Sequence, residues 1–358
     1  MTNMTAWLEA LVGARGSDLH VKVGSTPRMR VDGNLVDLEG PVITSDMAEN
    51  LLTEVIRPDL YDEFQRRNEA DFAYSLAGVG RFRVNAFRQR GSVGLVLRRV
   101  QEGALSIEDL GLPPVIARLA EEPRGLVLVT GPTGSGKTTT LASMIDHVNA
   151  NRAVHIVTIE DPIEVLHADK LGIVNQREVR VDTEDFSIAM RAAMRQDPDV
   201  ILVGEIRDAE TLKAALAAAE TGHLVLSTLH TTDAAETVNR CIDLFPPFQQ
   251  RQVRLSLAAV LRGIVGQRLV RREGDGGRVA VLEILVNTGR TAEAIADPER
   301  LGELGAIMTE GGYYGMQTFD QHLIALYRDG VVTLDDALGV ASNPHDLRVS
   351  LRNQGLVA

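Results

Sequence analysis

Cysteine is almost absent from this sequence of 358 residues. The single thiol, Cys241, excludes an internal disulfide and any zinc site built on cysteines, and it points to the cytoplasm. Long apolar runs are missing as well, and none approaches the roughly 20 residues that a membrane-spanning helix needs. The first residues, MTNMTAWLEALVGARGSD, lack a cationic start followed by an apolar core, so no secretory leader is expected. An excess of positive charge is also lacking. The formal net charge is −12, which argues against a protein that coats nucleic acid, because phosphate binding needs clustered Lys and Arg. A local basic channel stays compatible with that balance. No internal repeat is present, and the one compositionally biased stretch is Ala214–Ala219.

What remains is an ordinary globular composition, 44% hydrophobic and 24% charged, in a chain long enough for two domains. Residues 1–102 read as a small α+β unit. Trp7, Leu8, Leu11 and Val12 fit one face of a short helix, and strands follow at Leu19–Val23 and Pro27–Val31. Asp32-Gly33-Asn34 is a tight-hairpin signal. Ser45 is the expected N-cap of a helix over Asp46–Ile56, with a second helix over Leu60–Asn68. Alternating segments at Asp71–Leu76, Arg81–Arg88 and Gly94–Val100 complete the unit. Residues 103–114, which hold Gly103, Gly111, Pro113 and Pro114, are the expected linker. From 115 to 358 the expected unit is α/β. Buried parallel strands are predicted at Leu126–Val129, His155–Ile159, Val200–Val203 and Leu224–Thr228, with helices between them, as in a doubly wound sheet. Beyond Phe248 the pattern turns helical, first over Gln249–Leu269 and then at Arg300–Met308, Thr318–Arg328 and Leu334–Ala341. A hairpin-like stretch lies at Arg278–Val286.

The most informative stretch is GLVLVTGPTGSGKTTT, residues 125–140. Its core, Gly131, Pro132, Thr133, Gly134, Ser135, Gly136, Lys137 and Thr138, fits G-x-x-x-x-G-K-[ST] between a predicted strand and a helix that begins at Thr139. Glycines let the backbone close around an anion with its N–H groups inward, and the helix N-terminus adds positive potential. Lys137 is then placed to reach the β- and γ-phosphates of a nucleoside triphosphate, and the Thr138 hydroxyl to ligate Mg²⁺. A glycine-rich surface turn is the plain alternative, and the flanking strand and helix weigh against it.

Asp199–Glu205 (DVILVGE) is a buried strand ending in an acid. The strand is expected to lie beside the cradle, so that a carboxylate at its C-terminal end faces the metal and the γ-phosphate, and Glu205 is the expected general base for the attacking water. Glu160-Asp161-Pro162-Ile163-Glu164 ends another predicted strand, and its carboxylates suit polarising water or Mg²⁺ through its water shell. His223 and His230 bracket the strand Leu224–Thr228. Their spacing alone leaves open a structural role, a γ-phosphate sensor or a relay to a neighbouring subunit, and it matches no usual metal-ligand pattern. Arg81, Arg83, Arg88, Arg90, Arg98 and Arg99 cluster in the last strands of the first unit. A solvated charged face accounts for Arg88, Arg90 and Arg99. Arginines of a mobile domain can also stabilise a transferring phosphoryl group.

These residues together resemble the secretion-superfamily ATPases, and most closely the PilT-type motors of type IV pili. The carriers are Gly16–His20 (GSDLH), Arg30–Gly33 (RVDG), Gly80–Asn85 (GRFRVN), GPTGSGKTTT, Thr158–Glu164 (TIEDPIE), Arg195–Asp208 (RQDPDVILVGEIRD), Glu220–Asp233 (ETGHLVLSTLHTTD) and Gly315–Thr318 (GMQT). The resemblance implies a PAS-like N-terminal domain joined by a flexible linker to a RecA-like ATPase domain, with nucleotide between them and assembly as a homohexameric ring. It implies ATP and Mg²⁺ as ligands, with Thr139 also in the cradle and Glu164 and Glu205 on the metal through water. It gives the acidic-box role to Glu160 and Glu164, the catalytic role to Glu205, the His-box role to His223 and His230, and γ-phosphate contacts to Arg83 and Arg98. The implied partners are the pilus platform protein at the inner face of the cytoplasmic membrane and, optionally, a second pilus motor ATPase, with no nucleic acid expected. Two departures mark the branch. After Asn287-Thr288 the chain reads GRTAEAIAD instead of an AIRNLIRE-like segment, and it lacks the long N-terminal extension and tetracysteine site of extension and type II secretion motors. The short format favours retraction. Extension or secretion motors, a RecA-like nucleic-acid translocase and a non-catalytic ring subunit are the alternatives.

Overall fold

A computed structural model describes residues 4–274 and 277–357. Two compact units emerge, Met1–Glu102 with Glu164–Leu166, and Gly103–Ile163 with His167–Ala358.

The first unit is built on strands β1 (Asp18–Lys22), β2 (Arg28–Val31), β3 (Asn34–Asp37), β4 (Glu69–Leu76), β5 (Gly80–Gln89) and β6 (Ser92–Arg99), in the order β3-β2-β1-β6-β5-β4. All neighbours are antiparallel. Alternation decides its two faces. On β5, Phe82, Val84 and Ala86 are buried while Arg83 and Asn85 are exposed, the period-2 signature of a sheet with one wet face. The buried face joins Leu8, Leu11, Leu51, Leu52 and Phe64 from helices Met4–Gly13, Ser45–Val55 and Pro58–Arg67 in one core. The second of these helices starts one residue earlier than expected. Thr44, not Ser45, is its N-cap, accepting from Met47 N. A short strand β7 (Gln101–Glu102) closes the unit's chain.

The second unit contains β8 (Gly125–Thr130) and β9 (His155–Glu160). Next in the chain, β10 (Val165–Leu166) counts with the first unit and pairs in parallel with β7. The second unit resumes with β11 (Ile173–Glu178), β12 (Val200–Val203), β13 (Leu224–Leu229), β14 (Leu261–Arg271) and β15 (Arg278–Val286). Its seven-stranded sheet has the order β11-β9-β12-β13-β8-β14-β15, parallel except for the β14–β15 hairpin. Alternate residues feed two cores. Leu126, Leu128, Ile201 and Val203 join one cluster, and Val127, Val129, Val200 and Leu202 join another. Both faces are therefore covered, as a mostly parallel sheet requires.

Three expectations need correction here. Residues 103–114 are not a free tether, because Ile107 and Leu112 are buried in the core of the second unit. The helix expected over Gln249–Leu269 stops at Val260, and Leu261–Arg271 is β14. Glycine explains the switch: a Cβ on Gly263 would press on Leu119, and one on Gly266 on the Phe319 ring, so the chain lies flat against its neighbours as a strand. Finally, the strand leading to Glu205 does not adjoin the cradle strand, since β13 lies between β12 and β8.

Candidate functional site

β8 is buried along its whole length, so the loop that follows starts from a fixed point. Gly131, Gly134 and Gly136 take φ values of 141°, 79° and 90°, which L side chains seldom adopt. Two of them lack room for a side chain too. A Cβ on Gly131 would collide with Gln267 O, and one on Gly136 would lie 2.8 Å from Gln267 Nε2. The loop opens directly into helix Lys137–Asn151, whose first N–H groups and positive dipole end face the loop. Lys137 is buried, and its Nζ donates to Gly131 O at 2.8 Å and Pro132 O at 3.0 Å. Thr138 and Thr139 are exposed, whereas Thr140 is buried. Two further hydroxyls, Thr130 Oγ1 and Ser135 Oγ, are buried without a partner. Such orphans are uncommon. Beside the loop lies a cavity of about 500 Å³, lined by Pro132–Ser135, Arg268, Leu269, Arg278 and Gly339–Ser342.

Glu205 sits at the same end of the sheet. Gly204 N donates to Ile159 O at 2.8 Å, and Ile206 N to Thr228 O at 3.0 Å, which fixes the turn on both sides. The Glu205 side chain is 15% exposed, with Arg207 on Oε1 and His230 Nε2 at 3.6 Å from Oε2. The hydrogen bond to Glu205 raises the already high pKa of Arg207, against the opposing effect of burial. The two together are a fixed charge pair at the C-terminal end of the parallel strands, where open α/β sheets bind their ligands.

The other predicted residues divide. Glu160 ends β9 at that same end and is buried, accepting from Thr158 Oγ1 at 2.7 Å and Gln176 Nε2 at 3.1 Å. Glu164 is exposed and counts with the first unit, so within the ATPase unit the acidic box supplies Glu160. His223 is not brought to the cradle by its own chain. It precedes β13, its carbonyl accepts from Gly125 N at 3.0 Å, and Gly125 is the first residue of β8. The six residues of β13 therefore separate it from His230, on the order of 20 Å at strand rise. Its Nδ1 lies 3.0 Å from Ala218 O. Arg83 and Arg98 are cross-strand neighbours on the exposed face of the first unit. Arg98 Nε donates to Asp18 Oδ1 at 2.8 Å. Burial works against the charge on Asp18, yet Ser17 and Arg98 outweigh it and hold its carboxyl below the usual range.

A family model described as type II/IV secretion system protein matches residues 3–312. The chain belongs to that family. Among secretion-family relatives, it is 44% identical to the type IV pilus retraction ATPase PilT of Pseudomonas aeruginosa, over 92% of this chain and 95% of that one. It is 42% identical to the type IV pilus ATPase PilU of the same organism, over 96% and 90%. A crystal structure of the pilus retraction motor PilT with bound ADP superposes with a TM-score of 0.87 at 42% identity, covering 98% of this chain and all of that one. The ATPase DotB of Legionella pneumophila follows the same fold at 27% identity, with a TM-score of 0.73 over 93% and 94%. The chain is thus an ATPase of the secretion family, with an N-terminal unit and an α/β ATPase unit.

In this secretion ATPase, three residues at this end of the sheet escaped the sequence reading. Arg207 stands two places after Glu205 in the quoted VGEIRD stretch, and its charge beside a strand-end acid was the available signal. Gln267 lay inside a segment read as helix. Glu283 is a buried carboxylate on β15 that accepts from Ala234 N at 2.8 Å, and burial raises its pKa to about 7. No periodicity distinguishes a lone acid in an apolar strand, so nothing in the sequence marked it.

Proposed function

We propose that this chain is the ATP-hydrolysing motor of type IV pilus retraction, acting as a homohexamer at the inner face of the cytoplasmic membrane. The observation that carries the reading is the meeting, at one end of one sheet, of a glycine cradle with its helix-borne lysine and a carboxylate flanked by Arg207 and His230. Lys137 trades the carbonyls of Gly131 and Pro132 for the β- and γ-phosphates of ATP. The partnerless hydroxyls of Thr130 and Ser135 support an anionic occupant. The neighbouring cavity has the size for the nucleoside part.

Thr138 is the protein ligand for Mg²⁺. Among the described residues no cluster of three or more His, Cys, Asp or Glu could hold a metal, which suits a cation that takes most of its ligands from phosphate and water. Bound there, Mg²⁺ supplies charge stabilisation of the transferring phosphoryl group. Glu205 orients and deprotonates the attacking water, and Arg207 and His230 hold that carboxylate in place. Glu160 orders water at the same end, and Glu164 is assigned to the same task by its place in the TIEDPIE motif. Arg83 and Arg98 are assigned to the γ-phosphate by their motif positions, and His223, at the far end of β13, stands outside this cradle. The ring, the pilus platform protein and an optional second motor rest on the likeness to PilT and PilU.

Deleting the gene and counting surface pili tests the assignment. Excess pili that fail to retract are expected. Bald cells would place the chain in extension, and intact piliation with lost secretion would place it among secretion motors. DNA-stimulated phosphate release would instead favour a translocase.

A further inference from the structure

We infer that Gln267 is a positioning residue of the ATP site, fixing the Ser135–Gly136 peptide so that the Gly136 N–H faces the phosphates. The inference rests on the reading of Gly131–Thr138 as an ATP cradle.

Gln267 follows Gly266 on β14, and Gly266 is in register with Thr130, the last residue before the cradle. The side chain is 2% exposed, and both ends of its carboxamide are engaged. Nε2 donates to Ser135 O at 2.8 Å, and Oε1 accepts from Thr140 Oγ1 at 2.8 Å. One side chain therefore ties the loop to the first turn of the helix that follows it. The backbone of the same residue abuts Gly131 through its carbonyl oxygen, so the loop leans on Gln267 at its beginning and at its end.

The consequence lies in peptide geometry. In a planar trans peptide the C=O and the N–H point in opposite directions. Drawing Ser135 O outward onto Gln267 turns the Gly136 N–H to the opposite, concave side of the loop. Nothing intrinsic holds it there. Gly136 sits at a φ of 90°, and glycine populates the mirror conformation as readily, so the 135–136 peptide could rotate and withdraw the donor. Lys137 cannot prevent this, because its bonds to Gly131 O and Pro132 O are the ones it gives up to reach phosphate. The bonds of Gln267 lie on the outer side and persist through that exchange. Gln267 touches no phosphate in this scheme. It acts through the backbone donor it aims.

The test uses the full chain and three variants, Gln267→Leu, Gln267→Glu and Thr140→Val, with ADP–Mg²⁺ affinity by calorimetry, steady-state KM and kcat for ATP, and melting temperature. Gln267→Leu keeps the bulk and removes both bonds, and its Kd for ADP–Mg²⁺ is expected to rise about tenfold, with KM rising more than kcat falls. Gln267→Glu, compared at a pH where its carboxyl is ionised, can still accept from Thr140 but cannot donate to Ser135 O, so it should resemble the leucine variant. Thr140→Val should be milder. Combined with Gln267→Leu it should add less than its own single effect, because the two share a bond. A folded Gln267→Leu protein with wild-type Kd and KM, or one whose only change is a lower melting temperature, overturns the inference. If Gln267→Leu fails to fold, wild-type affinity in Gln267→Glu overturns it. A wild-type chain that cannot hold ADP–Mg²⁺ overturns the cradle reading itself.

Discussion

The two ends of the ATPase sheet obey different rules. At the N-terminal end of the parallel strands several polar groups settle locally. Asp199 accepts from His155 N at 2.9 Å, His155 Nδ1 lies 3.1 Å from Asp197 O, and His223 reaches Ala218 O. At the C-terminal end polar groups are buried at a cost. Lys137 folds back on its own loop, Thr130 and Ser135 keep partnerless hydroxyls, Glu160 and Glu205 lie largely out of water, and Glu283 is held at a raised pKa. Glu283 belongs to this end because it faces Gly266, which is in register with Thr130. Strain of this kind concentrates where a ligand or a reaction uses it. His223 and His230 make the same point on one strand: seven positions apart in the sequence, they sit at opposite ends of β13, and one of them lies near Glu205.

Variants can break or sharpen that contrast. The largest effect is expected from Lys137→Ala, which should abolish phosphate release and weaken ATP binding, as read by turnover and calorimetry. Glu205→Gln should bind ATP–Mg²⁺ yet lose at least about 10²-fold in turnover, the usual weight of a general base. Arg207→Ala leaves that carboxylate with His230 alone beside it and should lower kcat about tenfold, with little change in the Kd for ADP.

Glu283→Gln probes stability. Burial, reinforced by Asp233 and opposed by the Ala234 N–H, lifts the Glu283 pKa from 4.5 to about 7. The folded state thus holds a proton that the unfolded chain releases. Stability from this group is present in full below pH 4.5 and is lost as pH rises through about 7, by about 3 kcal/mol in total at 1.36 kcal/mol per pKa unit. Glutamine keeps the acceptor for Ala234 and never ionises, so the variant should melt higher than wild type at pH 8 and no higher at pH 4, by thermal unfolding followed by circular dichroism. The smallest effect belongs to the opposite end. His223→Ala should leave turnover per chain within about twofold, since removing one partly exposed hydrogen bond is a minor change, and a larger loss would show that His223 serves a cradle other than its own.

Much of this was legible because the informative residues are consecutive. The cradle is one unbroken motif, and Val200–Val203 and Leu224–Thr228 are apolar runs bounded by polar residues, so their strands and strand-end acids could be placed. What was hidden depends on distant pieces meeting. β11 reads IVNQRE, polar at four of its six positions at the rim of the sheet, and offers no apolar run. β14 follows a real helix without a break in composition, so Gln267 was lost inside an extended helical reading. The order β12-β13-β8 puts a strand between Glu205 and the cradle, which no local pattern encodes. Glu164 is four residues from Glu160, yet it counts with the other unit.

The most direct measurement pairs ATP–Mg²⁺ affinity with phosphate release for the wild-type chain and Glu205→Gln. The account predicts that both hold the nucleotide with similar Kd and that the variant releases phosphate at no more than about 1% of the wild-type rate. A Glu205→Gln chain that turns over ATP as fast as wild type would contradict it.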